Sequence, residues 1–401
     1  MSAPGPLGTS TRVAVVSLAT TQLIGWGSTY YLPAVLVVPL GRDLGLSREL
    51  VFAGVTIMLL AGAVAAPRAG LFMDRRGVRG LLAAGSVLMA LALAILSQSA
   101  SWPGYALAWT VAGLAMPLAL SQGALAVLAR VAGADARRAF ATMLLMSGFS
   151  ATVFWPLTAW LDAAIGWRAT CLVFAGLHLA VCLPLHLLVT GRRLEHPPET
   201  MGGVPAPDPT AGLDAGRQRV AFWWCALAFS VQGFVSWGLP LNIVEIVKAL
   251  DHPTATAVAL GSLIGPAQVV ARLGETLFGQ RVGILRVGLA SAVLAPFAVA
   301  LPLIAGASLP VVAAFVIGYG LSAGAFTIVR AVIPLALFGR ERYATMTGRL
   351  AVPQNIAFAI APVAFAAVLD AWGAAGTLWL SVGGALVALA SLVALSVAVR
   401  V

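Results

Sequence analysis

Charge is what this 401-residue chain has least of. Only 9% of its residues are Asp, Glu, Lys or Arg, against 60% hydrophobic ones, and the mean hydropathy is +0.97. So little polar surface cannot clothe a water-soluble domain, so the chain is expected in a membrane. Lysine is almost missing. Lys248 stands alone, with no glycine-rich loop before it, so there is no Walker A sequence and the chain by itself drives no ATP-powered pump. Cysteine is scarce too: Cys171, Cys182 and Cys225 lie in apolar stretches without a CxxC or Cys/His cluster, so neither a metal nor another cofactor is expected. Cys171 and Cys182 would stand about 16 Å apart along one helix, too far for a disulfide. They read as small core residues. Acids are outnumbered, 14 against 24 Lys plus Arg, for a net charge of +10. In a soluble protein that balance would suggest nucleic acid; here the arginines punctuate apolar runs and read as membrane-orienting charges, with no nucleic-acid partner. Met1 to Ser10 carries no basic residue and is followed by an apolar run of nearly 30 residues without a small-residue cleavage site. This is a first membrane span, not a signal peptide.

Breaks at glycine, proline and charge divide the chain into twelve apolar segments, each long enough to cross a bilayer as a helix. Their approximate limits are 13–40, 50–73, 80–100, 103–130, 140–163, 168–189, 220–247, 255–279, 286–306, 309–338, 343–369 and 374–399. One long polar stretch, Thr190 to Gln218, carries five prolines and mixed charges; it reads as a flexible cytoplasmic linker (190–218) between a bundle at 1–189 and a bundle at 219–401. With the N-terminus inside, sixteen arginines fall on the cytoplasmic side and only Arg42, Arg48, Arg168 and Lys248 outside. That bias fits an even number of spans, with both termini in the cytoplasm of a bacterial inner membrane. The largest loop is under thirty residues, and the chain ends just past the twelfth span. The reading therefore leaves no room for a sensor's output domain, and nothing points to an enzyme.

The halves resemble each other at an offset a little over 200 residues. Arg137-Arg138-Ala139-Phe140-Ala141-Thr142-Met143 matches Arg340-Glu341-Arg342-Tyr343-Ala344-Thr345-Met346, each opening a fifth span. Leu161-Asp162-Ala163 matches Leu369-Asp370-Ala371; Leu71-Phe72, Arg75 and Gly77 match Leu277-Phe278, Arg281 and Gly283; Leu32-Pro33 matches Leu239-Pro240. Four matches in the same order argue for duplication. Six spans separate equivalent points, so the repeats share one orientation in the bilayer.

After the second span comes Gly70-Leu71-Phe72-Met73-Asp74-Arg75-Arg76-Gly77-Val78-Arg79. Glycines allow close helix approach and a tight turn, and Asp74 can face the positive N-terminal end of a neighbouring helix. This stretch resembles the signature loop of the major facilitator superfamily, G-x-x-x-D-R/K-x-G-R/K-R/K. The resemblance implies an all-α membrane protein of twelve helices in two parallel-related six-helix bundles. It also implies that the neighbour of Asp74 is the eleventh span, beginning near Tyr343, and that Gly70, Asp74, Arg75, Gly77 and Arg79 form a conformational latch, Arg75 and Arg79 binding the acid or the lipid surface. The second copy has Gln280 in place of Asp74, so the latch is asymmetric. Drug/proton antiporters of that superfamily carry an arginine where this chain has Ala119, three residues before Gln122-Gly123, and a Gly-Pro-x-x-Gly-Gly ending where it has Val153-Phe154-Trp155-Pro156-Leu157-Thr158. That argues against a typical drug/proton exchanger.

Two arginines lie too deep to be loop charges. Arg272 is eight residues from Gln280 and Arg330 is ten from Arg340, about 12 and 15 Å along their helices. Each costs at least about 2.5 kcal/mol in hydrocarbon. Gln268, Arg272 and Glu275 share one helix stripe. Two readings stand side by side: Arg272 paired permanently with Glu275 and Arg330 snorkelling or bonded to backbone carbonyls, or both arginines facing a partner or a wet cavity. The segment Pro266-Ala267-Gln268-Val269-Val270-Ala271-Arg272 resembles the eighth span of the monocarboxylate porters, where an acid and an arginine four apart handle the proton and the substrate carboxylate. Gln268 replaces that acid, so the resemblance carries over anion binding by Arg272, while H+ coupling would pass to Glu275. Gly25-Trp26-Gly27 and Gly166-Trp167-Arg168 are similar to patches in the same porters and in oxalate/formate exchangers.

Polar and aromatic residues midway along aliphatic helices suit a cavity that orients a small ligand. With Arg272, Arg330 and Gln268, the candidate cargo residues are Gln22, Trp26 and Tyr30 in the first span, Gln232 and Trp237 in the seventh, and Gln354 and Asn355 in the eleventh. Tyr31 and Trp237 equally fit an outer aromatic belt, and His178 and His186 read as packing or interface residues. The expectation is a monomeric secondary transporter moving a small, monocarboxylate-like anion by alternating access, proton-coupled or by exchange. An exporter of a drug, metabolite or metalloid is the alternative.

Overall fold

The computed structural model describes residues 8–189 and 215–399; most of the expected linker lies outside that set. Among the described residues there are ten apolar helical runs long enough to cross a membrane. They are Thr9–Leu44, Arg48–Arg76, Gly80–Gln98, Trp102–Val131, Gly133–Val189, Gly216–Lys248, Thr254–Phe278, Ile284–Ile304, Leu309–Phe338 and Tyr343–Val399. Gly133–Val189 and Tyr343–Val399 are each 57 residues long, about 86 Å if straight, far more than a bilayer's roughly 30 Å core. Each is kinked at a glycine of positive φ, Gly166 (φ 78°) and Gly373 (φ 65°), and the first is also interrupted between Ser147 and Ser150. Only glycine adopts such a φ without strain. Dividing the two long runs there gives twelve spans, at the two places where the sequence separates spans five from six and eleven from twelve.

Local chemistry sets the ends. Ser47 caps span two by accepting from Leu50 N at 3.3 Å, Glu49 sits in its first turn, and Arg75 and Arg76 occupy its last. Each charge complements the helix dipole. Several spans are also interrupted midway. Span one breaks between Ser28 and Leu32, span four at Leu120 three residues after Pro117, and span eight at Leu263 just before Pro266. Span six holds a π-helical turn at His178–Cys182. Interrupted helices free backbone groups inside the membrane, and those groups need partners.

The outer faces confirm the solvent. Ile304 is 80% exposed, Phe297 71% and Val363 71%. Apolar side chains bared along every long helix would be untenable in water and are ordinary against lipid. The three cysteines are buried and free.

The chain divides into two compact units. One comprises residues 8–189 with Phe338–Val352, the other residues 215–337 with 353–399. The start of span eleven thus packs with the first unit. The first core is rich in aromatic residues, with Phe154 against Phe174 at 5.3 Å and the Tyr105 hydroxyl donating to Val51 O. The second centres on Phe315, Tyr319 and Phe365.

Candidate functional site

In the second unit, spans eight and ten cross in parallel. A Cβ on Gly320 would meet Ala267 and Ile264, and one on Gly324 would meet the Gln268 backbone and Ala271. Carried on at 1.5 Å per residue, this register puts Arg272 level with Thr327 and Glu275 level with Arg330, the two arginines differing by about 5 Å in depth. Both arginines are half-buried. Arg272 Nη2 donates to Gln268 Oε1 at 3.2 Å, so Gln268 orients the guanidinium. Glu275 is buried, its carboxylate folded over Gly279, where a Cβ would strike it.

Arg330 rests 5.3 Å from the centre of the Phe358 ring. The same ring is stacked on Trp237, centroids 4.8 Å apart and planes 8° from parallel. Gln354 and Asn355 are buried one turn earlier on span eleven. Gln232, on span seven, is buried, and neither carboxamide atom has a hydrogen-bond partner among the described residues.

In the first unit the polar residues of span one are tied to the helices around them. Gln22 Nε2 donates to Ala119 O at 3.0 Å, one of the carbonyls freed by the break after Pro117, and Ser121 Oγ donates to Gln22 Oε1 at 3.4 Å. Trp26 Nε1 donates to Ser121 Oγ at 3.2 Å. The Tyr30 ring meets Trp26 and Tyr31 edge-on, and Tyr31 meets Trp155. Two histidines complete the set. Ser28 Oγ and His178 Nε2 are hydrogen-bonded at 3.0 Å, on the π-helical turn; His186 joins Ser86 Oγ at 2.7 Å and Thr21 Oγ1 at 3.1 Å. His186 thereby bridges spans one, three and six.

The loop after span two is also built within the first unit. Asp74 Oδ2 accepts from the Thr345 backbone N–H at 2.6 Å, in the first turn of span eleven, where the helix dipole favours a carboxylate. Gly70 lies against Ala344, so closely that a Cβ there would strike its carbonyl. Gln122 Nε2 faces Ala66 O at 3.2 Å and Ala344 O at 3.5 Å. The basic partner of Asp74 is Arg130, 3.5 Å away, which also donates to Met73 O at 2.7 Å. Arg75 is exposed, Gly77 turns the chain at φ 85°, and the Arg79 side chain lies outside the described set.

A family model settles what these helices belong to: that of the Major Facilitator Superfamily matches residues 18–318. The chain belongs to the Major Facilitator Superfamily. It is thus a membrane transporter and not an enzyme. Among solved structures, the human organic anion transporter MFSD10 (TETRAN) superposes with a TM-score of 0.72 at 16% identity, covering 95% of this chain and 99% of that one. The proton:xylose symporter XylE, bound to 6-bromo-6-deoxy-D-glucose, gives 0.68 at 14% identity over 94% of each. At such identities the likeness establishes the major facilitator fold and nothing of cargo. No curated protein sequence matches.

The structure therefore gathers Arg330 and Trp237 around Phe358 and joins Arg272 to Gln268, while Gln22, Trp26 and Tyr30 belong to a separate network in the first unit. Several contributors escape the sequence reading. Phe358 carries no polar group, and Arg130 looked like one more positive-inside charge. The histidines, expected as packing or interface residues, are hydrogen-bonded between helices. Arg68 and Arg349, also inside spans two and eleven, are exposed.

Proposed function

We propose that this transporter carries a small organic anion of the monocarboxylate type by alternating access, with Arg272 and Arg330 as the cationic anchors. One observation carries the reading: two half-buried guanidinium groups stand at similar depth in parallel apolar helices of one unit. A cation in such a place is costly and is retained where it faces a partner or a wet cavity, and an anionic cargo is a partner of opposite charge. Gln268 supports it by aiming Arg272. The organic anion transporter among the structural neighbours has a cargo of the same sign, and the xylose symporter shows that the same fold is also used for a sugar.

Coupling falls to Glu275, a buried carboxyl on the stripe of Arg272 and level with Arg330, with H+ as the coupling ion. Asp74, held by the Thr345 amide and by Arg130, is the moving part of a cytoplasmic latch with Gly70 and Gly77. Positive-inside asymmetry supports cytoplasmic termini; the reading is completed by a bacterial inner-membrane location, two bundles (1–189 and 219–401), a linker at 190–218 and a monomer.

Counterflow in proteoliposomes tests this. Vesicles loaded with a mixture of unlabelled monocarboxylates should draw in labelled acid, and the corresponding uncharged amides should not compete. Glu275→Gln should keep that exchange and lose uphill accumulation driven by a pH gradient. Amides that compete as well as the acids would overturn the anion reading; unchanged accumulation would remove Glu275 from coupling.

A further inference from the structure

Within the first unit, span two and the start of span eleven cross antiparallel, and three contacts fix their register. The Thr345 amide donates to Asp74 Oδ2 at 2.6 Å. One turn back along span two, a Cβ on Gly70 would strike the Ala344 carbonyl, and one turn further a Cβ on Gly348 would strike the carbonyl of Ala66. Helix backbones meet this closely only where a glycine removes the side chain at the contact.

A third helix reaches the same place. Span four resumes at Ser121 after its break at Leu120, and the next residue, Gln122, brings Nε2 to 3.2 Å from Ala66 O and 3.5 Å from Ala344 O. Gly348 leaves room for it, since a Cβ there would lie 2.8 Å from that nitrogen. The residues around Gln122 are pinned. Ala119 O accepts from Gln22 and Ser121 Oγ accepts from Trp26, both of span one, and Gly123 lies so close to the Leu118 carbonyl that no Cβ fits. The carboxamide therefore projects from a fixed bend.

Methionine would fill the space of Gln122 without donors. A carboxamide nitrogen carries two N–H groups, and here it faces one carbonyl on each of the two crossing helices. Both separations are at or beyond the long end for N–H···O bonds, so the clasp is weak enough to open. It can form in full only while spans two and eleven lie together.

We propose that Gln122 is a positioning residue of the latch: by meeting the Ala66 and Ala344 carbonyls at once, it holds the start of span eleven against span two in the register that brings the Thr345 amide to Asp74. This rests on the reading of Asp74 as a latch and deepens it, adding an uncharged clasp that ties the latch to the bend of span four.

Alkylation by N-ethylmaleimide tests the proposal on purified full-length protein. Ala344 is 1% exposed, so Ala344→Cys is a reporter that reacts when span eleven leaves span two, at a rate that follows the open population. Cys171, Cys182 and Cys225 are buried and report general loosening in the same sample, each site being read by mass spectrometry. Gln122→Met should speed alkylation at position 344 about tenfold, the scale of one lost hydrogen bond, while the three native cysteines stay as slow as in the parent. Asp74→Asn should speed it likewise. Combining the two should add little to Asp74→Asn alone, because residues that act through one register are coupled. A parental rate in Gln122→Met overturns the proposal, and so does an equal rise at the native cysteines, which would make Gln122 a general packing residue. Effects of the two substitutions that multiply in full would show that Gln122 does not position Asp74's contact. A parental rate in Asp74→Asn overturns the latch reading itself, whatever Gln122 does.

Discussion

Gln22 in span one and Gln232 in span seven are both buried glutamines in the opening helix of their half, yet they live differently. Gln22 reaches the Ala119 carbonyl, at the break beside Leu120, and accepts from Ser121. Gln232 has no hydrogen-bond partner among the described residues. The contrast extends to their surroundings. The first unit ties Ser28, Ser86, Thr21 and Trp26 into bonds with His178, His186 and Ser121. The second holds two half-buried arginines and an aromatic stack. Saturated polar groups inside a membrane act as helix glue; unsaturated ones and buried charges are the usual marks of a substrate path. On this comparison of Gln22 with Gln232 we propose that the bonded residues of span one serve mainly as scaffold and that the second unit carries the cargo chemistry.

The largest effect expected from breaking the scaffold side comes from His186. His186→Ala removes bonds to two helices and leaves a cavity, and should lower stability in detergent by about 2–4 kcal/mol while leaving anion affinity unchanged. An affinity loss in folded His186→Ala protein would move the histidine out of the scaffold. The glutamines give a matched pair. Gln22→Leu strands the Ala119 carbonyl and should cost about 1–3 kcal/mol, whereas Gln232→Leu removes an unpaired group and should be neutral or stabilising within about 1 kcal/mol, yet weaken cargo binding. Thermal unfolding of both variants, read beside titration, would erase the contrast if the two shifts were equal. Smaller still is the latch. Asp74→Asn keeps a hydrogen-bond acceptor for Thr345 but loses the charge facing the helix end and Arg130; turnover should fall about tenfold with binding intact. Parental turnover in vesicles would show that the contact is merely structural.

Much of the frame is legible in the sequence because membrane burial writes itself into hydropathy. Breaks between spans five and six and between eleven and twelve are announced by Gly166 and Gly373, and Asp74 with its glycines announces a loop that docks on a helix start. The interior of the site is less legible. Phe358 is one of sixteen phenylalanines, and its meeting with Arg330 and Trp237 depends on how three helices far apart in sequence cross. Arg130 obeys the positive-inside rule whether or not it reaches Asp74. The π-helical turn at His178 arises within an unbroken apolar run, where periodicity carries no sign of one extra residue per turn. Gln268 is a candidate cargo residue by sequence, and only the structure shows its Oε1 accepting from Arg272.

The claim that an arginine of the second unit holds an anion is tested most directly by substrate binding to purified Arg272→Ala protein, measured beside the double variant Arg272→Ala with Glu275→Ala. If Arg272 binds cargo, the single variant should lose on the order of 100-fold in affinity, as expected when a charge-assisted bond to a carboxylate is removed, and the double variant should remain equally weak even where its folded yield is normal. If Arg272 serves only to neutralise Glu275, the single variant should fold poorly through its unpaired acid, and the double variant should recover both yield and anion binding, which would contradict the account.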